Sequence, residues 1–250
     1  MIIDAHCHAG TGDGFTGPWD TEARLWPHLE RAAAAGIDHT IVFPVFNSDY
    51  AAANRRLAAI VSRHAGLLTG FAAVHPQRDA ARLDRQIGRA VEVHGFRGVK
   101  VHGAEAHPSR ALCELARRYQ LPILYDIYRQ PARLEMLAGR YPDVAFIAAH
   151  LGGFADDWMV FLAVTDQLVR HPNVYADTSG VRYFDALAAA ARRAPHKLIF
   201  GSDGPLCHPA LELEKIRLLK LPAPQTAAIC GGAIARLTGL AARLRQGTHR

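Results

Sequence analysis

The chain has 250 residues, half of them hydrophobic and 21% charged, with a formal charge of +6. No apolar run reaches the roughly 18 residues a membrane helix needs, and the arginines are spread along helix-like segments instead of clustering among aromatics. A membrane span and a nucleic-acid partner are therefore not indicated, and the basic field suits a small anionic substrate instead. No basic stretch followed by an apolar one opens the chain, so a cytoplasmic protein is expected. Cys7, Cys113, Cys207 and Cys230 contain no Cys-x-x-Cys pair, which argues against a zinc knuckle or a disulfide framework.

The first predicted element is a strand, Ile2–His6, in the opening MIIDAHCHAG. In a strand, side chains at i and i+2 share a face, so His6 and His8 project together, with Asp4 expected on that face and Cys7 opposite. Two convergent imidazoles suit a metal or a charged substrate. A helix follows at Glu22–Ala35, then a strand at His39–Phe43 and a helix at Ala51–His64. The strand Leu68–Val74, the helix Ala80–His94, the strand Gly98–His102 and the helix Ser109–Tyr119 continue the alternation. Further strands are predicted at Ile123–Ile127, Val144–Ala149 and Val174–Asp177. The helix Phe184–Arg193 ends before Pro195, and the last strand is Leu198–Gly201. A helix pair follows, around Leu211–Leu219 and Gln225–Leu237.

Most of these strands are continuous apolar runs, as expected of parallel strands buried on both faces. Eight strand–helix units in about 250 residues predict one (β/α)8 barrel domain over the whole chain, residues 1–250, with a C-terminal helix extension. The alternative, a doubly wound open sheet, usually carries a Gly-rich turn after an early strand. Gly10, Gly12 and Gly14 have the wrong spacing for it.

Polar residues sit at the strand ends: His6 and His8, then Lys100 and His102, Asp126, His150, Asp177 and Asp203. A barrel brings these ends to one rim, where active sites lie. Histidine and carboxylate there form a ligand set for a divalent metal with an open position for water. Arg129 and Arg182, with Tyr128, follow strands at the same mouth, and arginine suits bidentate carboxylate binding.

The segments IIDAHCHAG, GVKVHG, LPILYD, FIAAHLGG, VYADTSG and LIFGSDGP, in this order and spacing, resemble the amidohydrolase superfamily. They are most similar to its branch that includes aminocarboxymuconate-semialdehyde decarboxylase, resorcylate decarboxylases and pyrone dicarboxylate lactonase. The resemblance covers essentially the whole chain. It implies metal ligation by His6, His8, the position of Asp126, and Asp203, and a catalytic role for His150. Two departures stand out. The relatives usually have histidine at the end of the fifth strand, where this chain has Asp126, and often Asn-Ala in the last helix, where it has Ala233.

Asp126 therefore has two readings: the fourth metal ligand, or the partner of Lys100 in a buried ion pair. Lys100, His102, Arg129 and Arg182 are candidates for holding the substrate. The expected cofactor is one divalent metal, zinc first, with manganese or magnesium as alternatives that a carboxylate-rich set would favour. The expected function is hydrolysis of a small anionic amide, ester or lactone through a metal-activated water. Asp203 would accept its proton and His150 would steady the oxyanion. A metal-dependent nonoxidative decarboxylase of an aromatic or unsaturated acid is the alternative. A metal-free lactonase or a binding protein short of a ligand is the third reading. The only partners expected are the small-molecule substrate and, for a homodimer, a second copy.

Overall fold

The structure, a computed structural model, describes residues 1–14, 22–154 and 157–240. Its strands are β1 (Ile3–Thr11), β2 (Glu22–Ala23), β3 (His39–Pro44), β4 (Leu68–Gly70), β5 (Ala72–Ala73), β6 (Val99–Val101), β7 (Ile123–Tyr125), β8 (Phe146–Ala148), β9 (Val174–Asp177) and β10 (Leu198–Ile199). Its helices are α1 (Leu25–Ala34), α2 (Tyr50–Arg63), α3 (Leu83–Glu92), α4 (Arg110–Tyr119), α5 (Pro131–Arg140), α6 (Trp158–Arg170), α7 (Phe184–Arg193), α8 (Pro209–Leu218), α9 (Ala223–Ala227) and α10 (Ala233–Thr238). Among the described residues no helix is long and apolar enough to cross a membrane.

The strands form two hydrogen-bonded arrays, β2-β1-β3-β4 and β10-β9-β8-β7-β6-β5. All pairings are parallel except that of the short β2 with β1. β4 and β5 are one strand interrupted at Phe71, whose backbone N–H donates to Val42 O at 2.9 Å. Its two halves serve opposite neighbours, β3 on one side and β6 on the other. At the other seam Ala5 N–H donates to Phe200 O at 3.0 Å and Cys7 bridges Gly204. The eight predicted strands thus occur in the predicted order around an α/β barrel, the last seam being a bridge instead of a full ladder.

The local chemistry explains the elements. Asp49 accepts from Ala51 N and Ala52 N at the start of α2, Ser109 from Leu112 N at α4, and Asp157 from Val160 N at α6. Each satisfies orphan donors of a first helical turn. Where a helix was expected from Glu22, that residue and Ala23 pair with Thr11 and Gly10 instead, and α1 begins at Leu25. The predicted last helix is broken around Ala228–Gly232 into α9 and α10.

Two apolar layers hold the barrel. Outside the strands, residues such as Cys7, Val42, Val99 and Ile123 meet the inner faces of the helices, Leu57 of α2 among them. Inside, Ile3, Ala5, Ile41, Leu124 and Ile147 pack with Ala233, Ile234 and Leu240 at and just beyond α10. The C-terminal helix therefore plugs the barrel floor, and the functional end is the opposite one. Each fully buried large aliphatic side chain contributes about 1.5–3 kcal/mol of transfer free energy.

Candidate metal centre

The register of β1 against β3 shifts between Asp4 and Cys7. This is a β-bulge, and it inverts the alternation. Ile3 and Ala5 face the barrel interior, yet so do His6 and His8, while Cys7 packs outward. The expectation that Asp4 shares the histidine face is therefore wrong. Its carboxylate accepts from Ser202 N and Ser202 Oγ, at 2.8 and 2.5 Å, and lies 3.3 Å from His28 Nε2 on α1. Asp4 ties the first strand to the last one and to α1.

Asp203 Oδ1 lies 3.4 Å from His6 Nε2 and 3.3 Å from His8 Nε2. One donor atom from each of His6, His8 and Asp203 falls within a 4.8 Å group, as does one from each of His6, His150 and Asp177. His150 and Asp203 both have left-handed backbones, φ +57° in each. That conformation costs of order 1–3 kcal/mol for a non-glycine residue and persists where surrounding structure holds it. Tyr128 and Arg129 in the cavity wall share it, at φ +47° and +62°.

Asp177 organises this group. Its Oδ2 accepts from His6 Nδ1 at 2.8 Å. Its Oδ1 accepts from Ser179 Oγ, Ser179 N and His150 N, at 2.6, 3.0 and 3.1 Å. Burial would raise the Asp177 pKa, but His6 and these donors outweigh it and keep the carboxyl ionised. An ionised acceptor assigns the proton of His6 to Nδ1, so Nε2 keeps its lone pair toward the cavity. Burial, then the Lys100 charge, lower the His6 pKa to about 4, with Asp177 opposing, so the ring is neutral. In His150, Nδ1 donates to Ser179 O at 3.0 Å, which leaves Nε2 as the other ring nitrogen. Asp203 is also held ionised: burial works against it, but the hydrogen bond from His8 and the surrounding imidazoles prevail.

His6 Nε2 is buried and forms no hydrogen bond among the described residues. A buried ring nitrogen with its lone pair unused normally costs free energy. A divalent metal uses that lone pair together with His8 and Asp203, and a carboxylate behind a ligating imidazole is the usual outer support of such sites. The donor set fits a metal.

The remaining candidates surround a cavity of about 710 Å³ at the C-terminal ends of the strands. Lys100 is 1% exposed, with Nζ 4.8 Å from the centre of the Phe43 ring. No carboxylate lies within 4.0 Å of it among the described residues, so of the two readings of Asp126 the ion pair with Lys100 is not made by direct contact. Burial lowers the Lys100 pKa, and Asp126 is the foremost charge opposing this. Asp126 is half-buried in the cavity wall, accepts from Tyr128 N at 3.1 Å, and stands outside both donor groups. His102 stacks on His8 with centroids 5.7 Å apart, its Nε2 3.4 Å from Pro44 O, and burial drives its pKa well down. Arg129 reaches the cavity while pairing with Asp157 at 2.8 Å. Arg182 is exposed and does not line the cavity.

A parallel barrel with imidazole and carboxylate donors gathered at one strand-end rim defines a class, the metal-assisted barrel enzymes. The chain belongs to the amidohydrolase family, whose sequence signature matches residues 3–240; it is an enzyme of a metal-dependent family. No curated protein matches it. Among solved structures it is similar to a dihydroxybenzoic acid decarboxylase from Polaromonas sp. JS666 with bound manganese and the inhibitor 2-nitroresorcinol. That likeness has 17% identity, a TM-score of 0.71, and coverage of 96% of this chain and 97% of the other. It is also similar to 4-oxalomesaconate hydratase from Rhodopseudomonas palustris (17% identity, TM-score 0.75, 100% and 99% covered). A third is a probable 2-pyrone-4,6-dicarboxylic acid hydrolase from Acinetobacter baumannii with citric acid bound (16%, TM-score 0.71, 95% and 99% covered). At these identities the likeness shows the fold, and the neighbours span decarboxylases, a hydratase and a hydrolase.

From the sequence, Asp177 is legible only as a strand-end carboxylate with no particular role. Its signal was the motif YADTS, a buried carboxylate two residues before a serine. Asp4 and Ser202, which clasp the β1–β10 seam, carried no comparable signal.

Proposed function

We propose that this enzyme is a metal-dependent hydrolase of a small anionic amide, ester or lactone. The observation that carries the reading is the buried, unpartnered His6 Nε2 facing the same space as His8 Nε2 and Asp203. His6, His8 and Asp203 would hold one divalent ion, with zinc or manganese as the candidates. When bound, that ion supplies Lewis acidity, acidifying water and polarising a substrate oxygen.

The chain's own residues do the rest. Asp203, kept ionised by the imidazoles around it, takes a proton from the attacking water and passes it to the leaving group. His150, its Nδ1 fixed on Ser179, turns Nε2 to the oxygen that gains charge. Lys100 attracts a carboxylate into the cavity, and Asp126 is its counter-charge on the wall, not a metal ligand. Arg129 stands at the mouth.

A second reading, decarboxylation of a planar unsaturated acid, is favoured by the aromatic wall. Phe46 lies 4.2 Å from His102 and Phe154 5.0 Å from His150, centroid to centroid, and Tyr128 lines the mouth. One screen separates the two: lactones, amides and aromatic acids offered to zinc- and manganese-loaded protein in ¹⁸O-labelled heavy water. Hydrolysis places ¹⁸O in the acid product. Decarboxylation releases CO₂ and leaves deuterium on carbon. Turnover that survives both metal stripping and His8→Ala would overturn the metal-dependent reading.

A further inference from the structure

A second cleft, of about 410 Å³, lies between α2 and α3 on the outside of the barrel. Arg82, Arg85, Gln86 and Arg89 line it from the α3 side and Asn54 and Arg55 from α2, and His94 and the Asp49 carboxylate, which faces Arg82, are also in its lining. Arg85 and Arg89 stand one turn apart on one face of α3, and Arg82 immediately precedes the helix. Arg82 is neutralised by Asp79 at 2.8 Å and lies 3.6 Å from Asp49. Arg55, Arg85 and Arg89 have no carboxylate within 4.0 Å among the described residues, whereas neighbouring helices pair theirs, Arg118 with Asp84 and Arg193 with Asp166.

Like charges one turn apart, faced by a third across a groove, repel. Arg89 and Arg55 both bear on His94: after burial, their charges are the causes that lower its pKa. A second observation is independent of charge. Both polar atoms of the Gln86 side chain, Nε2 and Oε1, are shielded from solvent and unpartnered among the described residues, as is His94 Nε2. Cationic forks and unused amide and ring nitrogens around one concavity are what a multiply charged oxyanion needs.

We propose that this cleft binds a small organic phosphate carrying two or more phosphate groups, at a site separate from the metal centre. Guanidinium groups strung along a groove favour phosphates at both ends of a short molecule. The volume suits a metabolite. The lining has no aromatic platform for stacking bases, which argues against single-stranded nucleic acid.

The test is calorimetric titration of the full-length protein with inorganic pyrophosphate, for wild type, Arg85→Gln/Arg89→Gln, and the control Arg192→Gln/Arg193→Gln, which removes the same charge on α7. A 20-nucleotide single strand is titrated in parallel, and circular dichroism checks that each variant is folded. The expected result is saturable one-to-one binding of pyrophosphate, weakened roughly tenfold or more by the α3 pair and unchanged by the control. The arginines are exposed, and a folded variant gives a clean reading. Should Arg85→Gln/Arg89→Gln fail to fold, Arg55→Gln alone, on the opposite wall, must show the loss. Absence of saturable binding overturns the proposal. So does binding that both pairs weaken equally, which marks general charge attraction, or that neither weakens, which places pyrophosphate elsewhere on the protein. Tighter binding of the oligonucleotide than of pyrophosphate also overturns it, in favour of a polymer.

Discussion

Replacing Asp177 with Asn probes the centre with little change of shape. Three of the four hydrogen bonds to this carboxylate go to Oδ1, from His150 N, Ser179 N and Ser179 Oγ, and an amide oxygen accepts all three. The fourth comes from His6 Nδ1 to Oδ2 at 2.8 Å. There the amide nitrogen would put two donors face to face. The cheapest escape is for the His6 proton to move to Nε2, where it points at Asp203 Oδ1, 3.4 Å away. The lone pair that a metal needs is then spent. Loss of such an outer carboxylate costs about 10–100-fold in metal affinity, or about 1.4–2.7 kcal/mol. Removing one charged hydrogen bond lowers stability by about 1–3 kcal/mol, which the barrel tolerates. Competition with a chelating dye, for zinc and manganese separately, measures the affinity. Long-range ¹H–¹⁵N spectra of the metal-free protein report the tautomer. A folded Asp177→Asn variant with unchanged affinity for both metals would refute the reasoning.

His150→Asn should retain metal and lose turnover by a factor on the order of 10²–10⁴, the usual worth of a positioned acid–base group; metal analysis with steady-state rates on any substrate found checks it. The His6 pKa is about 4 in the folded protein against 6.5 ordinarily, so between those values only the unfolded chain takes up the proton. Stability of the metal-free protein should therefore fall as the pH drops from 6.5 to 4, by about 3 kcal/mol from this group. Urea unfolding across that range should show a shallower slope for His6→Gln, and identical slopes would contradict the assignment. A Cβ on Gly103 would stand 1.7 Å from the Asp126 carbonyl oxygen, so Gly103→Ala must push the loops after β6 and β7 apart. It should cost about 1–3 kcal/mol and raise KM more than it lowers kcat, because His102, Asp126 and Tyr128 in the cavity wall move while the β1 ligands stay; a fall in kcat alone would count against placing the substrate between those loops.

The alternation of apolar strand runs with helix-like segments was enough to specify the barrel, its eight strands and their order, since burial on both faces leaves a parallel strand no other pattern. The strand ends then named His6, His8, His150 and Asp203 as rim residues, because in this fold position along the strand decides which side chains meet. Alternation failed at one point. The bulge between Asp4 and Cys7 depends on how β1 pairs with β3 and β10, and one inserted residue moves a side chain to the other face. Asp4 accordingly went to the seam with Ser202 and His28. Asp126 was equally undecidable from the chain alone. Ligand or ion-pair partner differ by a few ångströms, set by how far apart the ends of β6 and β7 stand from β1. Asp177 acquired its role in the same way: a carboxylate 171 positions from His6 becomes its hydrogen-bond acceptor only when the barrel closes. Local periodicity encodes which elements form and which way they run, whereas the partner of each buried polar atom is a long-range contact that exists only once the strands are in register.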